Sequence, residues 1–235
     1  MTDGPARPGV DAPEQPWLTS PEPDLWTARV SLYADRAREL EGMLDDTERA
    51  RLQSLRRAED RDQYRVAHVA LRQLLGSRLG QDPAQVRFVR EPCPGCGGPH
   101  GRPAVPGVPL HFSLSHAGDA VLVAFADTPV GVDIENRPSA SVAAELTQAL
   151  HPAERAELSA LPAAERPAAT ARCWTRKEAY LKGVGIGLGD HPDRTFVGTG
   201  AVPTAPPGWA LTDVPAPLGY VAARAVRTSR LGPAA

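Results

Sequence analysis

The chain has 235 residues, 26 basic against 28 acidic, for a formal charge of −2. That length suits one large domain or two half-size ones, and the near-neutral charge excludes a global attraction to nucleic acid or an anionic membrane, so any anion site must be local. No run approaches the ~18–20 apolar residues of a membrane helix, and three cysteines, Cys93, Cys96 and Cys173, are too few for a disulfide framework, which points to a reducing cytoplasm.

Residues 1–23 carry six prolines and no apolar core, and read as a flexible arm, neither signal peptide nor anchor. Residues 26–32 alternate apolar and polar side chains, a strand pattern. Asp45-Asp46-Thr47-Glu48 offers N-cap chemistry for a short helix through Leu52 and Leu55. A stronger helix spans about 60–79, with Tyr64, Ala67, Leu71, Leu74 and Leu75 on its apolar side. A short strand at 86–89 leads into a loop over 92–109 with six prolines. Strands near 111–115 and 120–125 flank a turn at Ala117-Gly118-Asp119. After a turn at Asp127-Thr128-Pro129 come a strand at 131–135, a helix capped by Ser139 or Ser141, a second helix from Pro152, and a third over about 167–182 with Gly183 as its stop. Strands are expected at 194–197, 209–214 and 220–226. Each half thus offers helices plus about three strands in similar order, an α+β class. The division expected is 24–128 and 129–228, with a tail at 229–235.

The basic residues are 24 Arg and 2 Lys. Codon bias accounts for the scarcity of lysine, yet Lys177 and Lys182 fall within one short segment. On a helix Trp174, Glu178 and Lys182 lie at i, i+4 and i+8, on one face. Two readings remain open there: a core Trp beside a Glu–Lys pair, or a carboxylate that takes a proton or binds metal beside an ammonium that meets phosphate. In Asp133-Ile134-Glu135 the two-residue spacing puts both carboxylates on one strand face and Ile134 on the core side. Such a pair is either a solvated face or half of a Mg²⁺ site, since Mg²⁺ takes hard oxygen ligands. The glycines 183, 185 and 187 follow a helix instead of preceding one, so they do not form a phosphate-binding loop.

Two further features stand apart. Arg57, Arg61, Arg65, His68 and Arg72 form a basic stripe on the long helix, either solvated or anion-binding. Cys93-Pro94-Gly95-Cys96 with His100 has zinc-like spacing but only three local ligands; Cys173 would have to fold back as a fourth. The plain reading is a turn-rich loop with two free thiols, and Cys173 in the core.

Gly131-Val132-Asp133-Ile134-Glu135 followed by Trp174-Thr175-Arg176-Lys177-Glu178-Ala179-Tyr180-Leu181-Lys182 closely resembles the signature pair of 4′-phosphopantetheinyl transferases. Phe112-Ser113-Leu114-Ser115-His116 and Gly101-Arg102-Pro103 resemble two further motifs of the larger, Sfp-type class. The resemblance covers roughly residues 45–225. It implies two similar, pseudo-twofold halves, each a small, mostly antiparallel sheet packed with helices, with the site in the cleft between them. It implies transfer of the phosphopantetheine arm of coenzyme A to a serine of apo acyl, peptidyl or aryl carrier proteins, with release of adenosine 3′,5′-bisphosphate. The motif match assigns Asp133, Glu135 and Glu178 to Mg²⁺, Glu178 to the serine proton, and Lys182 and Lys177 to phosphate charge. It assigns Ser115, His116 and Arg102 to CoA, and Arg61 and Arg65 to the CoA 3′-phosphate region. Position 113 is Ser where many members have Asn, and position 102 is Arg where Lys is common. The expected state is a cytoplasmic monomer with no nucleic-acid or membrane partner. The competing functions are a non-catalytic zinc- or partner-binding module and another Mg²⁺-dependent CoA or nucleotide enzyme.

Overall fold

The computed structural model describes residues 19–22, 24–187 and 192–228. Thr19–Glu22 (β1) pairs antiparallel with Leu25–Arg29 (β2), so the expected arm ends in an edge strand; its earlier residues lie outside the described ones. The strand expected over 26–32 stops at Arg29 because Val30–Glu39 (α1) begins there, and Asp119 accepts from the Ser31 N–H at its first turn. Asp46–Ser54 (α2) opens on a capping box: Asp45 accepts from the Glu48 N–H and Glu48 from the Asp45 N–H, an arrangement worth ~1 kcal/mol. Ala58–Leu79 (α3) closes at Gly80, whose φ of 63° is left-handed.

Val89–Arg90 (β3) and Pro103–Ala104 (β4) make a two-residue ladder across the Pro/Gly loop; the strand expected from Val86 pairs only from Val89, Val86 being extended but unpaired after a 3₁₀ turn at Pro83–Gln85. His111–Ala117 (β5) and Ala120–Ala126 (β6) complete a sheet of order β1-β2-β6-β5. Val130–Asn136 (β7) starts the second sheet, followed by Ala140–Gln148 (α4), capped by Ser139, then Pro152–Ala160 (α5) and Arg166–Val184 (α6). Trp209–Val214 (β8) and Tyr220–Arg227 (β9) give a sheet of order β7-β9-β8. Where a strand was expected at 194–197, Pro192–Arg194 is a single 3₁₀ turn with no ladder beyond it. The expected tail, 229–235, lies outside the described residues.

All pairings are antiparallel, and the class is α+β. In β2-β6-β5 and in β7-β9-β8 the first strand in chain order pairs with the third and the third with the second. Alternate residues of β6 (Ala120, Leu122, Ala124) and of β7 (Val130, Val132, Ile134) form one buried cluster between the sheets. The period of two that buries Val132 and Ile134 turns Asp133 and Glu135 the other way.

Candidate active site

The approach of α6 to β7 is set by two glycines. A Cβ on Gly131 would lie 2.0 Å from the Ala179 carbonyl oxygen and 2.3 Å from the Gly183 nitrogen. A Cβ on Gly183 would lie 2.7 Å from the Trp209 ring. Only glycine fits either position, and the contact brings Glu178 and Lys182 onto Asp133 and Glu135. Gly183 is therefore not the helix stop that its residue type suggested; it lies inside α6, and the left-handed end is Gly185, φ 91°.

Lys182 Nζ donates to Asp133 Oδ1 at 2.6 Å and to Ser115 Oγ at 2.8 Å, and Ser115 Oγ donates to the same Asp133 oxygen at 2.8 Å. Asp133 is 2% exposed, so its carboxylate is not a solvated face, and its Oδ2 is buried without a partner. Burial raises the Asp133 pKa against the pull of Lys182. Burial, then the Asp133 charge, pushes Glu178 up to about 7; burial, Asp133 and Glu178 together push Glu135 up to about 7. Three carboxylates thus share one ammonium in a poorly solvated place. That excess of negative charge, with an orphaned carboxylate oxygen, is the electrostatic signature of a site for a hard cation. The oxygens have not converged fully: among the described residues the only set of three ligand groups within 4.8 Å of one another is Cys93, Cys96 and His100.

Serine side chains extend the site across the sheet boundary. The Val132 and Ile134 N–H groups, on the edge of β7 away from β9, donate to Ser113 Oγ (3.0 Å) and Ser115 Oγ (3.4 Å). Ser113 therefore has a use of its own, tying β5 to β7. Ser115 is buried and links Asp133 to Lys182, so it positions the cluster.

Two cavities flank β5. One, of about 770 Å³, is lined by α1, the start of α3, the β5–β6 turn with His116, and Glu135 and Asn136. The other, of about 490 Å³, is lined by Tyr64, His68, Phe88, Arg90, Phe112 and Lys182, among others. Lys182 and Glu135 thus open into different cavities, and the Asp133–Ser115–Lys182 cluster lies between them. Desolvation by the surrounding protein, with the charges of His68 and Lys182, pushes His116 down to about 4. Its imidazole is neutral at neutral pH. Tyr64 and His68 stack at 3.9 Å, and His68 Nδ1 lies 2.9 Å from Glu48 Oε1. The i,i+4 spacing of Tyr64 and His68 carried this signal, but it was divided between an apolar side and a basic stripe.

Four expected contacts lie elsewhere. Lys177 is 1% exposed and its Nζ is 2.7 Å from Glu154 Oε2, with a further bond to the Thr195 carbonyl, so it cannot reach a phosphate in the cleft. It sits 100° round the helix from Glu178, inside the C-terminal core. Arg65 is bound by Glu41 (2.7 Å) and Asp62 (2.6 Å). Arg61 donates to the carbonyls of Leu55 and Arg56, closing the end of α2. Most of the basic stripe is therefore engaged: Arg65 by Glu41 and its own helix's Asp62, His68 by Glu48, and Arg72, fully buried, by Glu48 and Asp45, while Arg57 stays exposed at the larger cavity. Arg102 donates to Glu91 (2.6 and 3.0 Å) and to the Gly183 carbonyl (2.6 Å), spending its guanidinium on a tie between the β3–β4 loop and α6. Arg61, Arg65 and Arg102 line neither large cavity. Cys173 is fully buried in the C-terminal core and is no ligand to Cys93 and Cys96.

A family model described as the 4′-phosphopantetheinyl transferase superfamily matches residues 129–204, which contain Asp133, Glu135, Glu178 and Lys182. The 4′-phosphopantetheinyl transferase HetI of Nostoc sp. strain PCC 7120 is 31% identical over 230 residues, 91% of this chain and 92% of its own. A phosphopantetheinyl transferase of Thraustochytrium sp. is 33% identical over 187 residues, 71% of this chain and 62% of its own. The 4′-phosphopantetheinyl transferase Sfp of Bacillus subtilis strain 168 is 28% identical over 134 residues, 55% of each chain. Because the HetI similarity runs through both sheets and the cluster between them, the chain belongs to the 4′-phosphopantetheinyl transferase superfamily.

Proposed function

We propose that this transferase, which uses coenzyme A to modify carrier proteins, is Mg²⁺-dependent, releases adenosine 3′,5′-bisphosphate, and works through Glu178 and Lys182 in the cleft. The observation that carries this reading is the set of three carboxylates, Asp133 and Glu178 buried and Glu135 half-buried, around a single ammonium, with Asp133 Oδ2 unpartnered.

Asp133, Glu135 and Glu178 would hold the Mg²⁺, whose chemistry is to neutralise the pyrophosphate and assist the departing phosphate. The serine hydroxyl of the carrier forms a new O–P bond to the phosphopantetheinyl phosphorus as the P–O bond to the bisphosphate breaks. Glu178 accepts the serine proton. Lys182 meets charge on the transferred phosphate, and its compact ammonium can leave Asp133 for that oxygen without losing its bond to Ser115. His116 faces the larger cavity, where it would meet a phosphate of CoA. The stacked Tyr64 and His68 rings in the smaller cavity would offer the adenosine end of CoA an apolar wall.

The same reading makes residues 24–128 the CoA-binding half and 129–228 the half that carries the cation ligands. It places the enzyme in the larger, Sfp-type class, as a pseudo-twofold monomer whose own two sheets supply both walls of the cleft. All three cysteines are free thiols, which fits a reducing cytoplasm. The acceptors are acyl, peptidyl or aryl carrier domains. Incubation with CoA, Mg²⁺ and a panel of apo carriers is expected to add one phosphopantetheine to the carrier serine and to release bisphosphate only when a carrier is present. Bisphosphate release without carrier would instead identify a CoA pyrophosphatase, and an unchanged rate in chelator would remove the Mg²⁺ requirement.

A further inference from the structure

The loop between β3 and β4 has no part in the transfer chemistry proposed above, yet it brings three metal-ligating side chains together. Cys93, Cys96 and His100 each offer one ligand atom, and all three lie within 4.8 Å of one another. Cys96 Sγ is 3.0 Å from His100 Nε2. The backbone is wound to produce this convergence: Gly97 N–H donates to the Cys93 carbonyl at 2.8 Å, Cys93 N–H to the Gly98 carbonyl at 2.7 Å, and His100 N–H to the Gly98 carbonyl at 2.9 Å.

Three glycines leave the assembly uncrowded. A Cβ on Gly98 would lie 3.0 Å from the His100 ring and 3.4 Å from Cys96 Sγ. Gly97 has φ 73°, and a Cβ on Gly101 would lie 2.5 Å from the Glu91 carbonyl oxygen. A loop that needed only to turn would not need its two thiols and an imidazole brought to one point.

We propose that Cys93, Cys96 and His100 bind a zinc ion, with solvent at the fourth position, and that this ion staples the β3–β4 loop against the C-terminal half. Two thiolates and an imidazole select zinc over Mg²⁺, and tetrahedral zinc accepts three protein ligands plus water. Cys93 is buried and anchors the site, whereas Cys96 and His100 are exposed, which leaves the fourth position open to water. The loop meets the other half at two places: Gly95 packs beside the Ile186 side chain, and Arg102, at the loop's end, donates to the Gly183 carbonyl. Zinc would hold in place the segment that carries Arg102. Binding displaces the thiol protons to solvent and involves no redox step.

The test uses the full chain, loaded with zinc under reducing conditions, desalted, and analysed for metal. Wild-type protein is expected to retain stoichiometric zinc, and Cys96→Ser and His100→Ala to bind it at least about tenfold more weakly in chelator competition. Both positions are exposed, so folding is not at risk. Glu178→Gln is expected to retain zinc like the wild type, which separates this site from the carboxylate cluster whatever the fate of the transfer reaction. Cobalt(II) substitution should give thiolate-to-metal charge-transfer absorption that disappears in Cys96→Ser. The proposal is overturned by wild-type protein that keeps no zinc, by Cys96→Ser that keeps as much, or by a Cys93–Cys96 disulfide that forms in preference to the zinc complex when reductant is removed in the presence of zinc.

Discussion

The two faces of α6 treat charge in opposite ways. On the inward face Arg176 is fully buried and completely engaged, with Asp213 at 2.6 and 2.7 Å and the carbonyls of Gly198, Gly200 and Ala201. Lys177, next to it, is matched to Glu154, which also accepts from the Val197 and His151 N–H groups. On the cleft face, Glu178 and Lys182 belong to a group with more carboxylates than cations. A buried network with every charge matched fixes structure, whereas one left with excess charge is under electrostatic strain that a ligand relieves. Adjacent residues of one motif therefore divide between holding the C-terminal half together and, in the function proposed above, serving the reaction.

Substitutions should separate these roles. The largest effect is expected for Glu178→Gln: transfer slows by about 10²–10⁴-fold, while thermal stability at neutral pH is unchanged or raised because one repelling carboxylate is gone. Lys177→Met should do the reverse. Leaving Glu154 buried and uncompensated costs about 3–5 kcal/mol, read by urea unfolding, with little change in kcat for the protein that remains folded. A large rise in the KM for CoA without loss of stability would return Lys177 to the cleft. Lys182→Ala is next, with kcat falling by about 10²-fold and the Kd for CoA, measured by calorimetry, changing far less. An unchanged rate would remove Lys182 from the phosphate.

The smallest effect concerns pH. Glu135 and Glu178 have folded pKa values of about 7, above the ordinary 4.5. The folded state therefore binds more protons than the unfolded state between those values, and metal-free stability falls as pH rises through that window. Adding Mg²⁺, or making Glu135→Gln, should flatten the fall in Tm. A fall of equal slope in the variant would mean that Glu135 does not titrate as part of the cluster.

The legible parts of the site are those set by local periodicity. A period of two aligned Asp133 with Glu135 and buried Ile134, and a helical period aligned Trp174, Glu178 and Lys182. Long-range partner choice is not legible, because it depends on elements distant in sequence. Arg65 looks free until Glu41, from the segment before α2, joins the neighbouring Asp62 on it, and Arg102 looks available until the Gly183 carbonyl takes it. Gly183 reads as a stop, since glycine after a lysine usually ends a helix; its actual role depends on a Trp209 ring contributed by β8. The α1 helix was missed because Val30 and Leu32 continue the alternation of β2, and Asp119, which caps the new direction, is 88 residues from Ser31.

The central claim, that excess charge on the cleft face of α6 drives phosphopantetheine transfer, is tested most directly by single-turnover modification of an apo carrier. Wild-type and Glu178→Gln enzymes are compared with CoA and Mg²⁺, with conversion read from the intact carrier mass. The account predicts full conversion by the wild type and conversion slower by at least about 10² with the folded variant. Equal conversion by the two enzymes, or none by the wild type on any of several carriers, would contradict it.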